Sequence, residues 1–279
     1  MRAIDVRHLG AERVIAAYLV DGCLIDPGPA ASLEGLLEGL GDERPERLLL
    51  THIHLDHAGA AGTLVERWPD LEVWVHERGA PHLADPAKLL ASATRLYGDD
   101  MDRLWGEILP VPRANLRVLE DGQGVGDFRV AYTPGHASHH ASFLHTPSAT
   151  IFAGDVAGVR IPPEGHVLAP TPPPDIDLVA WHESLDRLER WDADRIAVTH
   201  FGVWDDAADH LGGCRAALDS MAVKASELAD GAAFAEWIGA DIAAATTPET
   251  AAVYAQAMPY DTLYPGLERA LGRVSSPPG

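Results

Sequence analysis

The sequence predicts an α/β protein, and three observations carry that prediction. Apolar runs short enough to be strands alternate with stretches of helical spacing over residues 1–204. Several of those runs stop at a histidine or an aspartate, so the strands would deliver polar side chains to one place. From Asp205 to Leu271 the pattern changes to an Ala-rich, mostly helical stretch, broken at Gly212-Gly213, Thr247-Pro248 and Pro265-Gly266. The chain is therefore divided into an α/β unit at 1–204 and a helical extension at 205–279 packed on it. Its 279 residues, 47% hydrophobic, suffice for one large core with an appendage.

In chain order, Val14 to Val20 and Cys23 to Ile25 flank Asp21-Gly22, a hairpin signal because both turn positions accept positive φ. Asp26-Pro27-Gly28 closes the second run as a turn. Asp26 stands too early for a ligand role to follow from spacing, and a turn or supporting role suits it better. Ala30 to Leu40 has helical spacing and ends at Gly41.

The run Arg47 to Leu50 reads as a buried strand and opens into Thr51-His52-Ile53-His54-Leu55-Asp56-His57, four metal-capable side chains within six residues. Alternation on an extended chain puts His52 and His54 on one side. Asp56 and His57 are adjacent and fit the first turn of the helical segment Ala58 to Trp68, where a helix N-terminus favours a carboxylate. Two ligand sets, one from the strand end and one from the helix start, point to two metal ions. Burying such groups unpaired would cost several kcal/mol.

Leu71 to His76 alternates like a strand, with His76 structural. Residues 77–112 form a partly helical excursion, with apolar residues that include Leu83, Leu89, Leu96, Leu104 and Trp105. Covering a sheet edge is favoured for it over forming a flap beside the site, and His82 within it takes no functional role. Leu116 to Leu119 and Phe128 to Tyr132 are strands joined by the Gly-rich turn Glu120 to Asp127. The second leads into Thr133-Pro134-Gly135-His136, a turn that projects His136 from a rigid scaffold. For His139 and His140 two readings stay open. One of them hydrogen-bonds a ligand carboxylate or orients His136, or they face solvent or substrate.

Ala141 to Leu144 and Ala149 to Ala153 are strands around Thr146-Pro147-Ser148, and the second ends in Gly154-Asp155. A carboxylate beside glycine at a strand end can approach and bridge two ions. Residues 161–174 hold six of the 21 prolines, a stiff connection able to wall the pocket, with His166 a weak substrate-contact candidate. Asp177 to Arg190 is an amphipathic helix, and Ile196 to Val198 delivers Thr199-His200. The terminal Ser-Ser-Pro-Pro-Gly reads as a loose tail.

A formal charge of −21 argues against a nucleic-acid partner, whose phosphates need clustered Lys and Arg. The two cysteines, Cys23 and Cys214, form no CxxC, so neither a disulfide framework nor a thiolate site is implied. No export signal is recognisable and no apolar run approaches a membrane span, so no membrane partner and a cytoplasmic location are expected.

Taken in order, His52-x-His54-x-Asp56-His57, Thr133-Pro134-Gly135-His136, Gly154-Asp155 and Thr199-His200, preceded by Asp26-Pro27-Gly28, resemble the metallo-β-lactamase fold superfamily over residues 12–203. The resemblance implies a four-layer αββα sandwich with two metals at one edge, between the sheets. It implies His52, His54 and His136 around the first metal, Asp56, His57 and His200 around the second, and Asp155 bridging them. His140 stands where glyoxalase II-like thioesterases and lactonases place a second histidine after the turn, while His139 replaces their usual glycine.

Imidazole and carboxylate donors without thiolate suit two divalent ions, zinc first, with iron or manganese as alternatives. Two ions can share a hydroxide whose pKa falls to about 7, which attacks an acyl or phosphoryl centre. Asp56 would both ligate and orient that nucleophile, and Asp56 and His140 are the candidate catalytic residues. The function this predicts is a dinuclear metal-dependent hydrolase of a small-molecule ester, thioester or lactone. Arg215 and Lys224 are isolated and take no role in gripping a glutathione group. A mononuclear iron enzyme resembling persulfide dioxygenases, using His52, His136 and Asp155, is the alternative. A non-catalytic metal-stabilised interaction module is a further rival. The C-terminal helices are open to serving as a lid or as a homodimer surface.

Overall fold

Alternating side chains of the strands sort into two buried layers, and that sorting builds the architecture. In the computed structural model, which describes residues 1–274, one sheet holds β1 (Arg2–Asp5), β2 (Ala16–Val20), β3 (Cys23–Ile25), β4 (Arg47–Leu49), β5 (Glu72–His76) and β6 (Leu116–Leu119), in that order. Its first three strands pair antiparallel and the rest parallel. The other sheet uses β7 (Gly124–Val125), β8 (Phe128–Tyr132), β9 (Ala141–His145) and β10 (Thr150–Phe152). A separate ribbon, β11 (Val159–Arg160) with β12 (Val167–Leu168), precedes its last strands, β13 (Arg195–Val198) and β14 (Gly202–Trp204). The order in this sheet is β14-β13-β10-β9-β8-β7, antiparallel except for the parallel β10–β13 pair.

Leu49 and Ala197 face the neighbouring sheet, in a core with Tyr18, Phe128, Phe143 and Phe152. Their neighbours Leu48, Leu50, Ile196 and Val198 point the other way, into the helix-covered faces. Helices α1 (Leu33–Leu40), α2 (Leu55–Ala58) and α3 (Ala61–Arg67) belong to the half of the chain that builds the first sheet. α1 packs on β1, and Leu64 of α3 joins the cluster of Leu48 and Val73. Next come α4 (Ala80–Ala84), α5 (Ala87–Tyr97) and α6 (Met101–Trp105). On the second half lie α7 (Leu178–Glu189), α8 (Ala207–Leu228), α9 (Gly231–Ala245), α10 (Pro248–Ala257) and α11 (Tyr264–Val274). α8 lies against α7, β12 and β13. The αββα order and the C-terminal helices are as the sequence predicts.

Several local features follow the sequence closely. Asp21 and Gly22 both have positive φ, 49° and 77°, and β2 and β3 pair across them. Both cysteines are buried and free. Other features differ. β6 and β8 do not pair; they lie in different sheets, and the Gly-rich turn between them contains β7 and carries the chain across the sandwich. The helical segment expected from Ala58 starts earlier, at Leu55, and is interrupted between Ala58 and Ala61. The stretch at 161–174 holds β12 as well as prolines. The terminal Ser-Ser-Pro-Pro-Gly lies outside the described residues. No helix among the described residues is long and apolar enough to cross a membrane.

Candidate metal centre

Strand ends meet at one edge of the sandwich. His52 follows β4, His136 follows β8, and the parallel pair β10–β13 brings Asp155 and His200 to the same end. Asp56 lies in the first turn of α2, and His54 precedes that helix with extended backbone. Gly135 is required where it is, because it has φ 136° and a side chain there would collide with the backbone of Trp181 on α7. That close packing seats the loop bearing His136.

Two donor groups result. His52 Nε2 lies 2.9 Å from His54 Nδ1, which lies 3.0 Å from His136 Nε2. In the second group His57 Nε2 is 3.2 Å from Asp155 Oδ1 and 3.7 Å from Asp56 Oδ2. His200 Nε2 is 3.3 Å from Asp56 Oδ2 and 3.8 Å from Asp155 Oδ1. The other Asp155 oxygen, Oδ2, faces His136 Nε2 at 3.4 Å, so one carboxylate looks into both groups. Within each group, the three side chains of the first and the four of the second, the donor atoms lie within 4.8 Å of one another and can hold a metal ion.

The far nitrogens are anchored. His136 Nδ1 donates to Pro170 O and His200 Nδ1 to Val14 O, each at 2.8 Å. His57 Nδ1 donates to Asp26 Oδ2, also at 2.8 Å. Placing the proton on Nδ1 leaves the Nε2 lone pairs aimed inward, as ligation demands. Asp26 is fully buried, in the left-handed region (φ 44°) that aspartate tolerates. It also accepts from Thr51 N, Thr51 Oγ1 and Thr199 Oγ1 at 2.8, 2.6 and 3.2 Å. One carboxylate thus ties the ends of β3, β4 and β13 to His57. Its turn-like position was legible in Asp26-Pro27-Gly28; its partners were not.

Electrostatics separates the two groups. Burial, reinforced by neighbouring imidazoles, pushes His52 well below the usual histidine range, and burial beside His136 lowers His54 to about 4. Burial also lowers His136. These rings are neutral donors. Burial opposes charge on His57 and His200 too, but Asp155 and Asp56 outweigh it, with Asp26 helping at His57, and both rings are raised. Burial likewise opposes charge on Asp56 and Asp155, yet the surrounding histidines hold both carboxyls low. Buried Asp155 and half-buried Asp56 are thus both held ionised, an arrangement that suits a cation, with protonated imidazole as the substitute among the described residues. His57 Nε2, His200 Nε2 and Asp155 Oδ1 are buried without a hydrogen-bond partner among the described residues. The donor set, its tautomers and these orphaned atoms all fit metal ions.

The remaining candidates fall in distinct places. His140 is fully buried: it stacks on His52 at 5.0 Å, its Nδ1 meets Thr133 Oγ1 at 2.9 Å, and it does not face solvent. A β-carbon at Gly154 (φ 54°) would lie 2.8 Å from His140 Nε2, so glycine keeps room for that ring. His139 instead lines the cavity above the site, with burial pushing it down to about 3. His166 lies away from this cavity, where its Nε2 pairs with Asp241 at 3.0 Å. His76 stacks on Tyr132, in keeping with a structural role. Arg215 is engaged by Asp186 and Glu189, and Lys224 by Glu227.

The cavity has a volume of about 880 Å³, within the range of small-molecule sites. Its lining includes His54, Asp56, Asp155, His200 and Pro172 to Pro174. The excursion at 77–112 does more than cover a sheet edge. Ala93 and Trp105 form a small cluster with Leu55, the neighbour of Asp56, and α5 and α6 thereby become one wall of the site, with His82 also in the lining. Periodicity alone could not place that wall, because its anchor is a single leucine distant in sequence.

A sequence profile described as the metallo-beta-lactamase superfamily matches residues 11–200. The archaeal superfamily protein ST1585 from Sulfolobus tokodaii superposes with a TM-score of 0.65 at 25% identity, over 79% of this chain and 85% of that one. TTHA1623, solved in a di-iron-bound form, is similar at 31% identity with a TM-score of 0.53, over 72% of this chain and 92% of that one. The hydroxyacylglutathione hydrolase of Enterobacter sp. (strain 638) is 33% identical over 136 residues, 48% of this chain and 42% of that protein. The aligned part spans between 42% and 63% of the length of the first curated relatives.

Proposed function

The chain belongs to the metallo-beta-lactamase superfamily, and on that premise we propose that it is a dinuclear metal-dependent hydrolase of a small-molecule ester, thioester or lactone. The observation that carries the proposal is Asp155, whose two oxygens face separate groups of buried imidazoles. His52, His54 and His136 would hold one ion and Asp56, His57 and His200 the other, with Asp155 reaching both groups. Zinc is the first choice, and iron or manganese suits the same donors. Residues 1–204 form the catalytic unit and the helices beyond Asp205 an extension that contributes to its cavity.

Two cations held there would supply Lewis acidity and lower the pKa of a water toward neutrality. The protein's own residues do the positioning. Asp56, 19% exposed at its side chain, faces the cavity, where it would both ligate and orient the attacking water. Thr51, Asp26 and Val14 fix the ring orientations behind the ligands. His140 positions His52 through ring stacking, and His139 borders the substrate. The walls formed by α5, α6 and the prolines at 172–174 restrict water around the reacting carbonyl.

Metal quantification on protein purified without added metal, followed by a panel of esters, thioesters and lactones, tests the proposal. The expected result is two ions per chain and turnover that chelation abolishes. One iron per chain with oxygen uptake on a thiol persulfide would replace it with the mononuclear oxygenase. A metal-loaded chain inert to the whole panel would favour an interaction module.

A further inference from the structure

The cavity walls carry two kinds of surface whose chemistry the hydrolytic reading leaves unassigned. One is apolar. Leu89, Ala93, Leu96, Tyr97 and Trp105 line it from α5 and α6, and Leu9 lines it from the N-terminal segment. Leu9 and Leu96 are 42% and 49% exposed, among the few large apolar side chains so open to water. Leu9 is also held in the left-handed region (φ 54°, ψ 29°), an unfavourable conformation for a leucine that persists only when its surroundings impose it. The other surface is cationic. Arg78 and Lys88 belong to the same lining, and neither side chain has an ion-pair partner among the described residues, although the chain carries 42 acidic groups against 21 basic ones. Arg103, the third basic residue of the lining, is engaged by Asp100.

Along α5 the lining runs from Lys88 through Leu89 and Ala93 to Leu96 and Tyr97. Lys88 lies in the first turn of α5 and Tyr97 closes the helix nine positions later, a span of about 14 Å at the α-helical rise. Tyr97 packs on Trp105 at 5.1 Å, and Trp105 stacks on His8 at 5.8 Å, extending the aromatic end across the cavity. A ligand lying along this wall therefore meets a cation at one end and apolar side chains at the other, with Asp56 and His54 in the same lining.

We propose that the site takes an amphipathic acyl ester or thioester, its apolar acyl chain against Leu96, Tyr97 and Trp105 and an anionic terminus of its leaving group against Arg78 and Lys88. The inference rests on the hydrolytic reading for the bond that breaks. Water adds its oxygen to the acyl carbon, the C–S or C–O bond cleaves, and the thiol or alcohol leaves with a proton. The specificity is tested without turnover.

Calorimetric titration of the metal-loaded full chain with non-hydrolysable thioethers decides it, the probes being S-decyl-coenzyme A, S-decylglutathione, S-methyl-coenzyme A and decan-1-ol. Each buried methylene is expected to tighten binding about fourfold. At least one anionic decyl thioether should bind at least tenfold tighter than both S-methyl-coenzyme A and decan-1-ol. Which decyl thioether binds better separates a phosphate from a carboxylate terminus. The R78E/K88E double variant, altered only on exposed side chains, should lose at least fivefold for the anionic probe and keep its affinity for decan-1-ol. Leu96→Ser should weaken decan-1-ol and the decyl thioethers alike. Equal binding of all four probes, or an R78E/K88E protein with unchanged affinity for the anionic ones, would overturn the inference. Hydrolysis of p-nitrophenyl acetate, measured in parallel, judges the hydrolase reading alone. A protein that cleaves it but shows no preference among the thioethers refutes only the specificity. One that binds the decyl thioethers selectively but cleaves nothing refutes only the hydrolysis.

Discussion

Replacing Asp26 with asparagine should remove one metal ion while leaving the other. Asp26 touches no substrate and belongs to neither donor group, yet its Oδ2 accepts from His57 Nδ1 at 2.8 Å, from Thr51 Oγ1 at 2.6 Å and from Thr199 Oγ1 at 3.2 Å. Asparagine keeps the volume and can still accept from Thr51 N through its carbonyl oxygen. Its NH2 group then meets the His57 N–H, donor against donor. His57 relieves the clash by moving its proton to Nε2, the atom that faces Asp155 and Asp56. That tautomer cannot ligate. Disturbing the group behind a metal-bound histidine costs 10- to 100-fold in affinity, about 1.4–2.7 kcal/mol. The hydroxyls of Thr51 and Thr199 each lose a charged acceptor, and about 1–3 kcal/mol of folding stability should go with them. Chelator competition followed by elemental analysis reads the result: stoichiometry should fall from two ions to one, and Asp26→Asn should match His57→Ala in metal content. A variant that retained both ions with unchanged affinity would refute the assignment of the His57 tautomer, and with it the logic of the second group.

Asp155→Ala should lower occupancy of both ions and abolish turnover, whereas His54→Ala should deplete the first ion preferentially; elemental analysis of the two variants side by side distinguishes a bridging ligand from a single-site one. His140→Ala should slow turnover with metal largely retained, because the ring supports His52 rather than the cavity, and an unchanged rate would remove it from the site. Stability should depend on pH differently with and without metal. His57 and His200 are raised above the unfolded histidine value, so in metal-free protein their contribution is full below it and is lost as pH rises through the folded values. The gap between the melting temperatures of metal-loaded and metal-free protein should therefore widen from about pH 6.5 upward, and metal binding should release protons in calorimetry run in buffers of different ionisation enthalpy.

The local grammar of this chain was readable because its signals are short-range. Asp21-Gly22 has the two positive-φ positions of a hairpin, and Leu48, Leu49 and Leu50 alternate between helix-facing and sheet-facing cores as their period requires. His52, His54, Asp56 and His57 stand within six residues, so their meeting needs only one strand and one turn of helix. The other ligand candidates, His136, Asp155 and His200, were readable as strand-end residues. β1 was not, since Arg2–Asp5 mixes charge with apolar residues and earns its place by pairing with β2. Only the folded chain shows that β6 and β8 lie in different sheets, because pairing partners are chosen by the whole sandwich and not by the turn between them. The same holds for Asp26, whose partners Thr51, His57 and Thr199 come from 25, 31 and 173 positions away. It holds again for the wall of α5 and α6, anchored through Leu55. Sequence by itself determined which side chains are candidate metal ligands and which strands carry them. Tertiary structure decided which atoms face one another, since convergence depends on contacts that no local period encodes.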